Sequence, residues 1–463
     1  MAHDTRGLDL SGATPEQAKI YDQVVSDYFD YRLSAFPTLK ELCPEAPVFA
    51  MAHIMRGYLL MSMGVGGTVP SAMAAADHVD EHCADLNPRE SLHLNALRAW
   101  GAGDVRSAVR HWDDVLFRWP RDAVALKVQH FGLFWLGQPQ HMRDVAARVL
   151  PAYEDNTPGY ANVLGMYSFG LEECGNYRKG EKIGLEAVER DPDDLWSIHA
   201  IAHIYEMEGR LDDGIKWLNQ PNTEWFDRNP FKEHIWWHTA LFAFDAGDYD
   251  RALKLFDESV WPDTSSFYLD VQNAASMLAR LELGGVDVGD RWRSLADTAA
   301  ERMGDHVLLF TEPHYSMAFS RCGEFDQADS QITSFRTFGE SDKTTSGRDI
   351  AEIAVPLCEA MRDYYKGDYE SVVNRIMPLR YNTAPVGGSH AQRDIFNLFL
   401  IDASQRSGNN QLAQALLAER VETHANNYDA WVRYGTVSDA LGDTVNSARA
   451  ASEKARIVAM RSN

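Results

Sequence analysis

The chain has 463 residues, 44 Lys plus Arg against 68 Asp plus Glu, and a formal net charge of −24. Apolar residues at 45% and charged residues at 24% describe a folded globular chain and exclude a disordered one. The acidic balance argues against a broad nucleic-acid footprint and against anionic membrane surfaces, which both need clustered Lys and Arg, so neither partner is expected.

Residues 1–13 read as a polar tail without the apolar core of a signal peptide. No apolar run reaches the roughly 18 residues of a spanning helix, and a cytoplasmic location is expected. Thr14-Pro15-Glu16-Gln17 is a helix start, with Thr14 as N-cap, Pro15 at the first helical position and Gln17 closing a capping box. That helix is predicted to run to about Phe36. Residues 1–49 are thus read as a tail and capping helix, and 50–463 as one continuous domain. Cys43, Cys83, Cys174, Cys322 and Cys358 are odd in number and scattered, and they read as structural thiols of a reducing compartment.

From residue 50 onward a repeat is written in glycine. Gly64, Gly103, Gly137, Gly175, Gly209, Gly247, Gly285, Gly323, Gly367, Gly408 and Gly442 are spaced by 39, 34, 38, 34, 38, 38, 38, 44, 41 and 34 residues. Such a period fits a helix, a tight turn and a second helix. Small residues stand five positions after the glycine (Ala108, Gly180, Gly214, Ala252, Ala328) and seven before it (Ala96, Ser168, Ala240, Ser316), where paired helices approach closely. Pro120 and Pro192 stop second helices by withholding a donor. Ser334–Arg348 and Asn382–Ser389 are expected to be loops. Asp191–Asp194 reads as a solvated helix start.

The Tyr428–Asp443 unit, with Trp431, Gly435 and Gly442, is the clearest copy of a pattern that resembles tetratricopeptide repeats. The expected fold is therefore all-α, a helical-hairpin (TPR-like) solenoid or superhelix of about eleven helix pairs. A narrower resemblance is carried by Trp196–Arg210, His234-Ile-Trp-Trp-His238 and His390-Ala-Gln392-Arg393-Asp394-Ile-Phe-Asn397. These segments are similar to the tetratricopeptide repeat protein 38 family, which implies the fold across the whole chain but no settled activity.

Functional residues are expected on the first helix of each unit, which lines the concave face. His199, His203 and Glu206 share one helical face by their spacing of four and three, and His234 and His238 repeat at i, i+4. His314, His390, Asp270, Asn273, Gln392, Arg393 and Asp394 complete the candidate set, with Glu172 and Glu173 nearby. This mix suits a small polar ligand or short peptide in a groove. The same residues also fit an enzyme using acid–base or metal-assisted chemistry, and a repeat array also fits a protein-binding scaffold; either leaves room for an oligomer. His199 and His203 could meet one ion with Glu206 as third ligand, but the glutamate of an HExxH motif is missing, because Ala200 follows His199. No metal and no cofactor is assigned from the sequence. Gly387-Gly388-Ser389-His390 reads as a loop and N-cap rather than an anion cradle.

Overall fold

The computed structural model describes residues 2–219, 225, 227–342 and 346–461. The described residues form eleven consecutive helical hairpins between Ala50 and Arg461. All eleven repeat glycines have φ between +61° and +84°, the left-handed region that reverses a chain without strain in glycine alone. The residue after the glycine explains many of the turn acids. Asp104, Asp248 and Asp368 accept hydrogen bonds from the backbone N–H groups of Ser107, Arg251 and Ser371, capping each second helix. The small positions are needed too: a Cβ on Gly214 would stand 2.3 Å from the Phe242 ring.

The N-terminal region differs from the sequence reading. Residues 2–10 form a small antiparallel hairpin, Ala2–His3 against Asp9–Leu10, rather than a free tail. Asp4 accepts from the N–H groups of Arg6 and Leu8 to shape the turn, and Leu10 is buried. The first helix has the expected capping box but ends at Phe29, because Tyr31 takes a left-handed φ of 59°. A separate helix, Ala35–Glu45, follows.

The expected loop at Ser334–Arg348 is also corrected. Helix Phe325–Ser341 runs through most of it, Gly347–Asp349 is again helical, and residues 343–345 lie outside the described residues. Asp194 is not a solvated start but a buried N-cap accepting from Trp196 N. The loop at 382–389 holds, and Ser389 and Gln392 close a capping box on the helix it precedes.

Two large apolar cores fill the N-terminal and C-terminal halves, and a smaller one around Leu195–Leu269 joins them. The superhelix is tightly wound there. Helix His390–Arg406 touches helices Leu195–Met207 and Tyr268–Leu283 from the opposite side of the turn. Arg280 Nη2 donates to Ala391 O (2.8 Å), His390 N to Glu173 Oε1 (3.0 Å) and Asn426 Nδ2 to Gly209 O (2.7 Å). The concave groove expected from the repeats is thereby divided into partly open cavities. No helix among the described residues is long and apolar enough to cross a membrane.

Candidate functional site: a four-histidine cluster between two cavities

Helix Leu195–Met207 carries His199 and His203 on one face, and helix Phe231–Asp245 carries His234 and His238 likewise. These faces meet. Ring centroids lie 4.3 Å apart for His199–His203, 4.5 Å for His203–His238, 4.8 Å for His234–His238 and 4.9 Å for His199–His234. One ring nitrogen from each of the four falls within 4.8 Å of the others, and all four side chains are buried. Gly184 and Gly214 let the second helices press these helices together from behind; a Cβ on Gly184 would be 2.7 Å from Ile201.

The hydrogen bonding is lopsided. Both ring nitrogens of His199 and His203, and Nε2 of His238, have no hydrogen-bond partner among the described residues. Bonds to the cluster come from outside it. His238 Nδ1 is bonded to Glu206 Oε2 (3.0 Å) and His234 Nδ1 to Asn273 Oδ1 (2.8 Å), while Glu172 Oε2 stands 3.8 Å from His203 Nδ1. Burial, reinforced by neighbouring imidazoles, holds His199, His203 and His234 well below the usual histidine range, and burial lowers His238 to about 3. All four are therefore neutral near pH 7, the state in which imidazole ligates metal. Burial raises the Glu206 carboxyl to about 8 and pushes Glu172 well above the carboxylate range, with Glu173 and Glu206 adding to the latter.

One cavity, of about 140 Å³, opens against His199 and His234. Its walls are aromatic, including Tyr31, Phe131, Trp196 and Phe231. Lys127 also lines it, with Nζ 4.1 Å from the Tyr31 ring centroid, and burial brings this amine down to about 8. A second cavity, of about 360 Å³, lies on the Glu206 side and is lined by Arg280, Arg393, Asp394, Arg420 and His390.

The predicted site residues thus separate into three groups. His199, His203, His234 and His238 converge, and Glu206 and Asn273 hold two of them from outside. Glu206 is consequently not a third ligand beside His199 and His203. Gln392 lines the aromatic cavity, while His390, Arg393 and Asp394 line the second. His390 Nε2 stands 3.6 Å from Glu173 Oε2, and with Glu172 these residues form a smaller group of convergent ligand atoms. The anion favoured at the start of the His390 helix is thus the chain's own Glu173. His314 and Asp270 are brought to neither cavity. His314 Nδ1 bonds Phe310 O (2.8 Å) and Asp270 accepts from Ser265 Oγ (2.6 Å). Sequence reasoning missed Arg280, Arg420 and Lys127. Arg280 had one signal, a lone cation in the run Ala274–Leu281.

No family model matches the chain. Among solved structures it is similar to the human IFIT1 dimer with m7Gppp-AAAA, at 12% identity over 97% of this chain and 96% of that one, with a TM-score of 0.42. It is also similar to a tetratricopeptide repeat protein from Parabacteroides merdae, at 12% identity over 67% of this chain and 98% of that one (TM-score 0.30). Yeast Tom70 shows 11% identity over 78% of this chain and 91% of that one (TM-score 0.33). The hairpins described above make the fold a TPR-like helical solenoid on their own geometry.

Proposed function

We propose that this protein, a relative of the tetratricopeptide repeat protein 38 family by its sequence segments, binds a transition-metal ion at His199, His203, His234 and His238. A small polar molecule would reach that centre through the aromatic cavity. The observation that carries this reading is four buried, neutral imidazoles that bring one ring nitrogen each within 4.8 Å of the others, five of their eight nitrogens lacking a hydrogen-bond partner among the described residues. Burying an unpartnered polar nitrogen costs about 1–3 kcal/mol, and one shared ion would engage three of the five, one each on His199, His203 and His238. Imidazole donors suit zinc, copper, iron or nickel. Glu206, Asn273 and Glu172 occupy the positions from which outer groups orient metal-bound histidines and offset the charge of a cation. The size of the aromatic cavity favours a small molecule over a peptide.

A bound divalent ion would supply Lewis acidity toward a carbonyl or water in the cavity. The chain's own residues do the rest. His199 and His234 face the ligand, Trp196 and Phe231 exclude water, and the Lys127 amine offers a cation or base. The superhelix from residue 50 onward serves as one rigid frame for the site.

The test uses untagged protein stripped with a chelator and dialysed against Zn2+ or Co2+. One equivalent is expected per chain, with the visible absorption of nitrogen-ligated cobalt. His203→Ala should lose uptake while keeping its helical circular dichroism. Absence of uptake by the wild-type chain would overturn the reading.

A further inference from the structure

The second cavity holds a cation that no acid neutralises directly. Arg280 is buried on helix Tyr268–Leu283, and no carboxylate among the described residues comes within 4.0 Å of its guanidinium. Its hydrogen bonds go to neutral backbone carbonyls, Ser276 O at 3.3 Å and Ala391 O at 2.8 Å. Its guanidinium also lies 5.6 Å from the Trp237 ring centroid, its remaining donors have no hydrogen-bond partner among the described residues, and the side chain lines the cavity of about 360 Å³.

The other arginines of this cavity are paired. Arg420 binds Asp394 (2.8 Å), Arg393 faces Glu173 (3.6 Å), and Arg380 at the rim pairs with Glu419. Glu206, Asp245 and Asp394 also line the space and act on Arg280 through their charge, but all three stand beyond ion-pair distance of it. A buried cation left without an ion pair is costly, and proteins retain one where a ligand completes it. A guanidinium fork matches the two oxygens of a carboxylate or phosphate. The volume lies within the range of small-molecule sites, and Phe396, Leu241 and Leu398 give it an apolar wall.

We infer that this cavity binds a small organic anion whose carboxylate or phosphate group pairs with Arg280. The inference stands apart from the metal reading, since it uses a different cavity and no histidine of the cluster.

The test measures thermal stability of the chelator-treated full chain in titrations of inorganic phosphate and of acetate, at constant ionic strength with chloride as the exchanged anion. A saturable rise with phosphate, acetate or both is expected, and the anion that gives it identifies the group recognised. A response no larger than that of chloride overturns the proposal. Arg280→Met keeps the apolar stem and should weaken the response by roughly ten- to a hundredfold. Its anion-free melting temperature should equal or exceed that of the wild type. A lower melting temperature with an unchanged anion response would make Arg280 structural and overturn the proposal. Should that variant fail to fold, Asn397→Trp fills the half-buried wall without touching Arg280. Loss of the response supports the proposal, and a full response in that variant refutes it.

Discussion

Two buried polar networks on inner helices of this solenoid, one around His93 and one of four histidines, differ in one respect. In the N-terminal half, His93 lies with Nε2 3.0 Å from Asp122 Oδ2 and Nδ1 3.0 Å from the Tyr58 hydroxyl. Arg89 donates to the same Asp122 oxygen (2.6 Å), Ala125 N to the other, and Trp112 Nε1 to Tyr58. Both His93 nitrogens have partners. In the central cluster, five ring nitrogens have none. Both clusters are buried and both use first helices, so burial and position do not mark a site. The balance of donors and acceptors does. The first network holds helices together with every histidine nitrogen bonded, and the second leaves five ring nitrogens without a partner among the described residues.

The largest expected effect breaks the complete network. Asp122→Ala leaves Arg89 buried and unpaired, and should cost about 3–5 kcal/mol in denaturant unfolding. Burial raises the Asp122 carboxyl, but His93 and Arg89 outweigh it and hold the group well below the usual range. Its contribution is therefore present above the unfolded carboxylate pKa and lost as pH falls below it. Metal uptake by folded Asp122→Ala should remain at one equivalent, which separates the two regions.

Glu206→Gln sharpens the comparison from the other side. Removing an outer carboxylate from a metal-bound histidine weakens affinity by about 10–100-fold. Competition with a chromophoric chelator should read that loss, while the fold stays intact. An unchanged affinity would detach Glu206 from the centre.

A smaller effect concerns His314, half satisfied and outside both clusters. Burial lowers it to about 4, partly offset by its bond to Phe310 O. Between pH 6.5 and 4 the unfolded chain binds this proton and the folded chain does not, so stability falls as pH drops through that window. His314→Leu should flatten the slope of unfolding free energy against pH by about one proton there. The smallest effect is expected from His203→Leu in metal-free protein. Replacing orphaned nitrogens by an apolar group of similar size should change stability by under about 1 kcal/mol. A loss matching that of Asp122→Ala would show that His203 is a packing residue.

The hairpins were legible because glycine at a reversing turn is a local necessity, and every repeat glycine takes a left-handed φ. The i, i+4 histidine pairs were legible for the same reason. Their convergence was not, since helix spacing says which residues share a face but not how two faces meet. The second cavity was invisible, because Arg280 and Ala391 lie 111 residues apart and no periodicity links them. The misread loop at Ser334 has a local cause. The segment is polar, yet Thr337 within it and Thr333 just before it donate to the carbonyls of Thr333 and Asp329 inside the helix, which satisfies the hydroxyls without breaking it. The polar tail hid a hairpin although its turn carries Gly7 at a φ of 81° beside Asp4, because strands of two residues leave no alternating pattern to read.

The contact between His390 and Glu173 spans 217 residues. A repeat array can fold locally, unit by unit, as each hairpin leaves the ribosome. The histidine helices would then be in place long before residue 390 is made. The wall between the two cavities arrives only when the tenth hairpin closes over the fifth and seventh. Assembly of the cavities is thus a late event in the life of each molecule, and a chain truncated before that hairpin would keep its helices and its four histidines while exposing them to solvent.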